Sequence, residues 1–304
     1  MPSINLSPID VGGPCKLSDN GTVIYFEKGV KIIPVPKFRG IPKSIVDEDD
    51  DTLVDLYYQI KGQPKAIWNS TYRGVLLPSA LLNMSVGGTP IVGTANRTVS
   101  IIGANGQGRD FVRGKLVQPP SVFFGLGEDT YGEAVWECYI GTGKSLSDAG
   151  AFFTLNTTAW SQSDYPTGHL EEVATAAYGA LTGFDAIFAE KGFKLTHSLS
   201  TRPLLQGNLT VDRVVKGYRG MIDFIPQEPT IAQIEAAMAT YGGVGTRSST
   251  NAFDLVVSSA NASMTLKSAS LQKGEYNYDL DSNRIGGLQF KSALATPGTR
   301  LAFT

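Results

Sequence analysis

Few residues in this sequence have the types and spacing that catalysis requires. There are two histidines, His169 and His197, too few for a multi-histidine metal site, and no Cys-x-x-Cys pair could complete one. The Gly-x-Ser-x-Gly elbow of serine hydrolases is also absent from the sequence. His197 stands among alternating apolar residues, which favours a place in a sheet. A triad of either histidine with a serine or cysteine stays an open alternative.

Two glycine-rich stretches partly match nucleotide-binding loops. Gly141-Thr-Gly-Lys-Ser145 matches the end of a P-loop, but Cys138 stands where that motif requires its first glycine, and poor helix formers follow. Gly103, Gly106 and Gly108 lack the spacing of the dinucleotide fingerprint and are typical of a turn between strands. We therefore predict that the protein is not an enzyme and has no catalytic residue and no cofactor.

An acidic run forms the most unusual local feature of the sequence. It consists of Asp47, Glu48, Asp49, Asp50 and Asp51. Adjacent like charges repel each other and resist packing, so we expect a solvated loop. The run lacks the glycine and the distal glutamate of a calcium-binding EF-hand loop, so we predict no metal site there.

Composition limits the class of protein. The 304 residues are 42% hydrophobic and 18% charged, with a net charge of −2, so the basic surface typical of a tight nucleic-acid binder is not expected. No apolar run approaches the roughly 18 residues of a membrane span. The N-terminus lacks the pattern of a secretory signal, so we expect Cys15 and Cys138 to be free thiols in a reducing compartment.

Turn residues and alternating hydrophobicity predict a mainly β fold. The chain has 34 glycines and 16 prolines. Asp19-Asn20-Gly21 predicts a hairpin, and residues 54–60 alternate between an apolar face and a wet face. Pro34 and Pro36 would interrupt a central strand, so their segment is predicted either to be an edge strand or to leave the sheet.

A pattern near the N-terminus recurs in the second half. The turn Glu27, Lys28, Gly29 precedes a strand pair that ends at Gly62-Gln63-Pro64. The turn Glu190, Lys191, Gly192 precedes a pair that ends at Pro226. We interpret this order as an internal duplication and expect the two turns to occupy equivalent corners. Further parallels are Ala104-Asn105 with Ala260-Asn261, and Tyr131–Trp136 with Ile285–Phe290.

The predicted organisation has four parts. Residues 1–13 form an N-terminal arm, 14–158 a first β domain, 159–183 a linker and 184–304 a second β domain. The linker is expected to contain a short helix over 169–180. Thr230 and Gln233 form a capping box that predicts a further amphipathic helix over 230–237.

Several short motifs resemble those of siphovirus major tail tube proteins. Near the start these are Gly13-Pro14-Cys15-Lys16-Leu17, Tyr25 and Lys28-Gly29-Val30-Lys31. In the second half they are Leu209-Thr-Val-Asp212, Gly217, Phe224-Ile225-Pro226 and the predicted helix over 230–237. The resemblance extends over about residues 12–304. The acidic run is more acidic than the family pattern, and Pro34 and Pro36 disturb a strand of it.

The resemblance implies a fold and an assembly. Each domain would be a β-sandwich of antiparallel sheets with a flanking α-helix, contributing strands to an oligomeric β-barrel. Three chains would then form a trimeric ring with pseudo-sixfold symmetry, with a hexamer of chains as the alternative. Stacked rings would form the tail tube of a virion assembled in the host cytoplasm, and the acidic run would contact the neighbouring ring.

The resemblance also implies partners. These are other copies of the chain, the tape measure protein, the tail terminator and distal tail proteins, and duplex DNA that passes through the lumen without sequence-specific binding. No membrane is implied. The alternative function is that of a baseplate, distal-tail or capsid-decoration β protein that acts as a binding module.

Overall fold

The structure is a computed structural model. It describes residues 7–19, 21–41, 50–65, 98–104, 106–124, 131–158, 160, 174–179, 186–227, 253–259, 263–279, 282–292 and 301–303. These residues contain strands and no α-helix. The strands are β1 (Ile9–Val11), β2 (Cys15–Asp19), β3 (Thr22–Phe26), β4 (Val30–Ile41), β5 (Asp50–Gly62), β6 (Val99–Gly103), β7 (Gly108–Phe111), β8 (Gly114–Gln118), β9 (Val122–Phe124), β10 (Ala134–Cys138), β11 (Phe153–Asn156), β12 (Thr175–Tyr178), β13 (Ile187–Phe188), β14 (Phe193–Gln206), β15 (Leu209–Phe224), β16 (Phe253–Ser258), β17 (Ser263–Asp279), β18 (Ser282–Ser292) and β19 (Leu301–Phe303). The prediction of a mainly β fold with antiparallel sheets is confirmed.

The first half forms two five-stranded sheets that enclose one core. Their strand orders are β1-β4-β5-β10-β8 and β11-β7-β6-β2-β3. Side chains from both sheets meet in a single buried cluster. Trp136 is fully buried in it, edge-on to Phe26 with ring centroids 6.0 Å apart, and donates a hydrogen bond to Asp19. Because both sheets contribute their apolar faces, this half is a β-sandwich.

The second half forms a nine-stranded sheet around its own core. The strand order is β13-β12-β16-β17-β18-β15-β14-β9, with β19 paired to β17. Tyr178 on β12 and Phe224 on β15 both lie against Phe290 on β18, with ring centroids 4.9 and 6.0 Å apart. Strands near both ends of the sheet therefore share one core, which requires the sheet to curl around it.

Two segments cross between the halves. Strand β9 lies between β8 and β10 in sequence, yet it pairs with β14 in the nine-stranded sheet. Its residue Val122 and the following Tyr131 belong to the second core. In return, Val211 at the start of β15 packs into the first core, with Leu209 beside it. The halves are thus joined by the pairing of β9 with β14 and by the packing of the start of β15 into the first core.

The second half repeats the strand pairing of the first in the same register. Strand β1 pairs with the first three residues of β4, and β9 pairs with the first three of β14. The β4–β5 ladder shifts register between Lys37 and Phe38, and the β14–β15 ladder shifts between Ser200 and Thr201, 163 positions later. A shared bulge at the same ladder position supports the predicted duplication, because bulges depend on specific local geometry.

The other strands follow the same correspondence. Trp136 on β10 pairs with residues of β5 and β8, as Phe290 on β18 pairs with residues of β15 and β17. Strand β17 takes the places of both β7 and β8. Ser268, with a φ of 46°, lies where β17 changes partner, as residues 112 and 113 separate β7 from β8. At the edges, β11 pairs with β7 and β19 pairs with β17.

Several local predictions are confirmed. Strands β2 and β3 form the predicted hairpin, with Asp19 paired to Thr22, and Gly21 has a φ of 88°. Gly103 ends β6, Gly108 begins β7, and Gly106, with a φ of 75°, lies in the turn between these strands. Pro34 and Pro36 lie in β4, whose partner there is β5 alone among the described residues, so this part of β4 lies at an edge of the described sheet. Cys15 and Cys138 are both free and buried.

Other predictions need correction or lie outside the described residues. Residues 175–178, within the predicted linker helix, form strand β12, because two strands flank it and Ala176 and Tyr178 point into the core. The predicted wet face of residues 54–60 is partly covered, since Asp55 and Tyr57 are buried. The helix predicted over 230–237 lies outside the described residues.

Candidate functional site

A polar junction forms where the β14–β15 hairpin meets the first sheet. At the tip of the hairpin, Thr210, Asp212 and Arg213 contact polar side chains of β5, β8 and β10 that point away from the first core. Alternate side chains of a strand point to opposite faces of the sheet. Since the apolar ones point into the first core, the polar ones between them point to the other face. We call the contact between this tip and this face the junction.

Asp55 anchors the hairpin through three donors. Its carboxylate accepts hydrogen bonds from the Thr210 backbone N–H at 2.9 Å and from the Thr210 hydroxyl at 2.6 Å. Lys37 Nζ lies 2.8 Å from the same carboxylate and also donates to Thr210 Oγ1. The Asp55 residue is only 1% exposed. A buried carboxylate is stable only when its oxygens are bonded in this way.

Glu137 forms the second contact of the junction. Its carboxylate accepts hydrogen bonds from Arg213 Nε, from the Tyr139 hydroxyl at 2.9 Å and from Gln59 Nε2 at 3.2 Å. Arg213 comes from the hairpin, whereas the other three residues belong to the first half. The carboxylate is nearly inaccessible to solvent, so the guanidinium supplies its compensating charge.

Lys115 forms the third contact, with the charges arranged the other way round. Its Nζ donates to Asp212 Oδ1 at 3.0 Å and to the Arg213 carbonyl oxygen at 2.8 Å. Arg113 lies 3.7 Å from the other Asp212 oxygen. Both Lys115 and Asp212 are buried. The first sheet thus contributes one cation, Lys115, and one anion, Glu137, and the hairpin tip contributes an oppositely charged partner to each.

The electrostatics of the junction follow from burial and pairing. Burial alone would raise the pKa of Asp55, but the hydrogen bonds from Lys37 and Thr210 outweigh it and hold that pKa below its ordinary value. Burial, together with the neighbouring Glu137, raises the pKa of the Tyr139 hydroxyl. Tyr139 therefore stays neutral, and its hydroxyl donates a hydrogen bond to Glu137.

The two predicted equivalent turns have matching geometry. Gly29 and Gly192 adopt φ values of 81° and 85°, in the left-handed region that favours glycine. The Lys65 N–H donates to the Tyr25 carbonyl, two residues before the first turn, and the Gln227 N–H donates to the Phe188 carbonyl, two before the second. Each donor directly follows the proline that ends the strand pair. These matches support the equivalence, which stays a prediction.

The acidic run lies partly outside the described residues. Residues 47–49 are not described, whereas Asp50 and Asp51 open β5 and pair with Ile41 and Gly40 of β4. Phe38, nearby on β4, is 51% exposed. The predicted contact of the run with a neighbouring ring stays a prediction.

The residues considered for catalysis do not converge in the described structure. Gly141–Ser145 forms an exposed turn in which the Asp148 carboxylate accepts a hydrogen bond from the Ser145 N–H. His197 lies in β14 opposite Gly220, as predicted for a sheet residue, and His169 is outside the described residues. Among the described residues, no group of three or more histidine, cysteine or acidic side chains could hold a metal ion.

A cleft lies beside the second turn. It has a volume of about 310 Å³ and is lined by residues that include Lys191, Lys194 and Asp223. Asp223 accepts a hydrogen bond of 2.7 Å from Gln289. The described lining contains no histidine, serine or cysteine. The one carboxylate in the described lining, Asp223, thus lies near two lysines and the amide of Gln289, and the described lining contains no nucleophilic side chain of the serine or cysteine type.

Sequence reasoning missed the junction residues. Asp55, Lys115, Glu137 and Asp212 each stand at a strand position that alternation assigns to solvent. A weak signal was present in β8 and β10, where a charged residue sits among apolar neighbours on both sides. The partner that buries these residues lies 76 to 155 positions away, as for Arg213 with Glu137 and Thr210 with Asp55.

Comparisons with known proteins add no family assignment. No protein-family model matches the sequence, and no curated protein is significantly similar to it. Within the described residues there is no helix long and apolar enough to cross a membrane.

Proposed function

We propose that this protein is a structural subunit of a bacteriophage tail tube, in which stacked rings form a channel for genome ejection into the host. The observation that carries the proposal is the repeat of one strand arrangement, with the same bulge and register, in two halves joined by the junction. The resemblance of short sequence motifs to siphovirus major tail tube proteins supports the same function.

A chain of this kind is suited to ring assembly. Beyond Ile32, β4 has one described strand partner, and beyond Leu195 the same holds for β14. Open edges favour pairing with another chain, and closure around a ring removes them. A head-to-tail contact that repeats between similar units gives a closed ring when the rotation closes.

In the proposed assembly, the number of similar units around the ring, not the number of chains, sets the approximate symmetry. Three chains with two units each would form a trimeric ring with pseudo-sixfold symmetry, and a hexamer of chains is the alternative. Tape measure protein and duplex DNA would occupy the lumen, and tail terminator and distal tail proteins would cap the tube. The protein would be part of the virion after assembly in the host cytoplasm, with no enzymatic role.

Negative-stain microscopy of the purified protein over a wide concentration range tests the proposal. We expect rings or polymerised tubes, and averaged end views should show six similar lobes that alternate between two kinds, so that only the threefold symmetry is exact. Compact monomers at every concentration would overturn the proposal and would favour the binding-module alternative. Six equivalent repeats from six chains would replace the trimer with the hexamer.

A further inference from the structure

Strands β1 and β9 occupy the same place on their hairpins but come from different halves. In the first half, Ile9 of β1 pairs with Ile32 of β4. In the second half, Val122 of β9 pairs with Leu195 of β14, 163 positions after Ile32. Both strands are three residues long and run antiparallel to their partners. The strand beside β14 is therefore supplied by the neighbouring half, whereas the strand beside β4 is supplied by its own half.

The segment that contains β9 has a counterpart in the second half. Val122 of β9 forms an antiparallel bridge with Tyr131. In the second half, Tyr276 of β17 pairs with Ile285 of β18, and each of these residues lies 154 positions after its counterpart. Residues 276–278 therefore correspond to β9. Their strand partner among the described residues is β18 alone, so no described strand occupies the edge that β9 presents to β14.

On β4, the place of β9 is taken by β1. Residues 30–32 pair with β1 there. Further along β4, Pro34 and Pro36 carry no N–H group, so a strand cannot form a regular ladder with that part of the edge. A strand that adds to β4 as β9 adds to β14 therefore needs residues 30–32, and it competes with β1 for them.

Strand β1 depends on two apolar side chains. Val11 is buried and Ile9 packs against the first core, whereas Asp10 is exposed. Gly12 and Gly13 follow, both exposed, and an added Cβ at either position would have no neighbour within 4 Å. A short edge strand beside an unobstructed glycine pair separates from a sheet at a lower free energy than an interior strand.

We propose that residues 276–278 of one copy pair with residues 30–32 of the next copy, in the place that β1 holds in the single chain. The pairing uses backbone hydrogen bonds, and β1 leaves β4 when the copies assemble. This contact joins the second half of one chain to the first half of the next, as β9 joins the two halves within a chain. It is head-to-tail and can close a ring. The inference rests on the proposed ring, for which it names the contact between chains.

A disulfide that holds β1 in place tests its displacement. Asp10 and Lys31 lie directly opposite each other on β1 and β4, at a Cβ spacing that suits a disulfide. The oxidised Asp10→Cys, Lys31→Cys variant should associate about tenfold more weakly, or worse, than its reduced form, because the place on β4 stays occupied. Sedimentation of the full-length chain across a concentration series measures both forms.

The matched control is the equivalent pair on the other hairpin. Phe123→Cys with Lys194→Cys ties β9 to β14, a pairing that assembly does not separate. The oxidised and reduced forms of this variant should associate to the same extent. Urea midpoints show that every variant is folded.

A second variant tests the new pairing directly. By the register of β9 on β14, Asn277 of one copy lies opposite Lys31 of the next. Oxidation of an assembled Lys31→Cys, Asn277→Cys variant should therefore give covalent oligomers on a non-reducing gel. Lys31→Cys with Lys144→Cys, the latter in an exposed loop, is the control and should give no more oligomer than Lys31→Cys alone.

The outcomes separate this inference from the proposed function. Rings that form equally well when β1 is locked to β4 would show that β1 stays in place and would overturn the inference. Rings of the Lys31→Cys, Asn277→Cys variant that yield only monomer on the gel would also overturn it, and this result decides alone if the locked variant does not fold. Both outcomes leave the proposed function standing, whereas a wild type that stays monomeric at every concentration would overturn both.

Discussion

Lys115 donates a hydrogen bond of 3.0 Å to Asp212, although 97 positions separate the two residues in the chain. Both are buried, and each supplies the charge that the other needs in a site with little water. The contact joins a strand of the first half to a hairpin of the second. The halves are therefore held in one arrangement by charges as well as by the exchange of β9.

Loss of Arg213 should destabilise the protein strongly. Arg213→Ala leaves the Glu137 carboxylate buried without its cation, which typically costs about 3–5 kcal/mol. The free energy of unfolding in urea measures the loss. Lys267→Ala is the control, because the Lys267–Asp254 pair is about 40% exposed on each side and should contribute at most about 1 kcal/mol. Equal effects of the two substitutions would contradict a buried ionic junction.

Stability should fall in acid through Asp55. Since the pKa of Asp55 is lower in the folded protein than its ordinary value of about 3.9, its contribution is fully present above that value. The contribution is lost as the pH falls through the lower, folded pKa. Asp55→Asn should therefore destabilise the protein at neutral pH, and the difference from wild type should shrink below about pH 4.

The hydroxyl of Thr210 should account for part of this pH dependence. Thr210→Val removes the 2.6 Å hydrogen bond to Asp55 and should raise the pKa of that carboxyl, whereas Thr210→Ser keeps the donor. Urea midpoints at a series of acidic pH values compare the two variants. An identical pH profile for the valine and serine variants would show that the hydroxyl does not act on Asp55.

The turn glycines should tolerate alanine poorly. At Gly29 a Cβ would lie 2.0 Å from the Val11 carbonyl oxygen, and the φ of 81° is itself strained for alanine. We expect Gly29→Ala to cost about 2 kcal/mol or more and Gly192→Ala about 1–2 kcal/mol, from urea unfolding. Gly287→Ala is the control, because nothing lies within 4 Å of its added Cβ. A neutral Gly29→Ala would contradict the turn geometry.

The two thiols should be protected in the native protein. Burial raises the pKa of Cys15 to about 12 and raises that of Cys138 well above its ordinary value, so few thiolates exist near neutral pH. A thiol reagent should label neither cysteine before unfolding and both in concentrated guanidinium chloride. Labelling of the native protein at the rate of an exposed thiol would contradict the described core.

The acidic run should influence polymerisation more than folding. Replacement of Asp47, Glu48, Asp49, Asp50 and Asp51 by serine is expected to alter tube polymerisation, which negative-stain microscopy would show. The free energy of unfolding in urea should stay within about 0.5 kcal/mol of the wild-type value. Unchanged polymerisation would reduce the run to a solvated connector. This replacement also tests the predicted contact of the acidic run with a neighbouring ring.

The sequence by itself determined the β class, the turns and the apolar faces. Gly21 and Gly106 adopt positive φ values that few other residues adopt, so the turns that contain them were predictable. The alternation in β5 and β10 identified Ile60 and Trp136 as core residues for the same local reason. The internal repeat was also predictable, because the same local order of features surrounds Gly29 and Gly192.

Only the tertiary structure decided which polar faces are buried. Alternation assigns Asp55 and Glu137 to solvent, because it records only that they lie opposite the first core. They are buried because a hairpin from the other half of the chain covers them, with Thr210 standing 155 positions after Asp55. The pairing of β9 with β14 could not be predicted from the sequence either. A strand of three residues is too short for its alternation pattern to indicate a partner. Both contacts depend on surfaces that exist only after each sheet has formed.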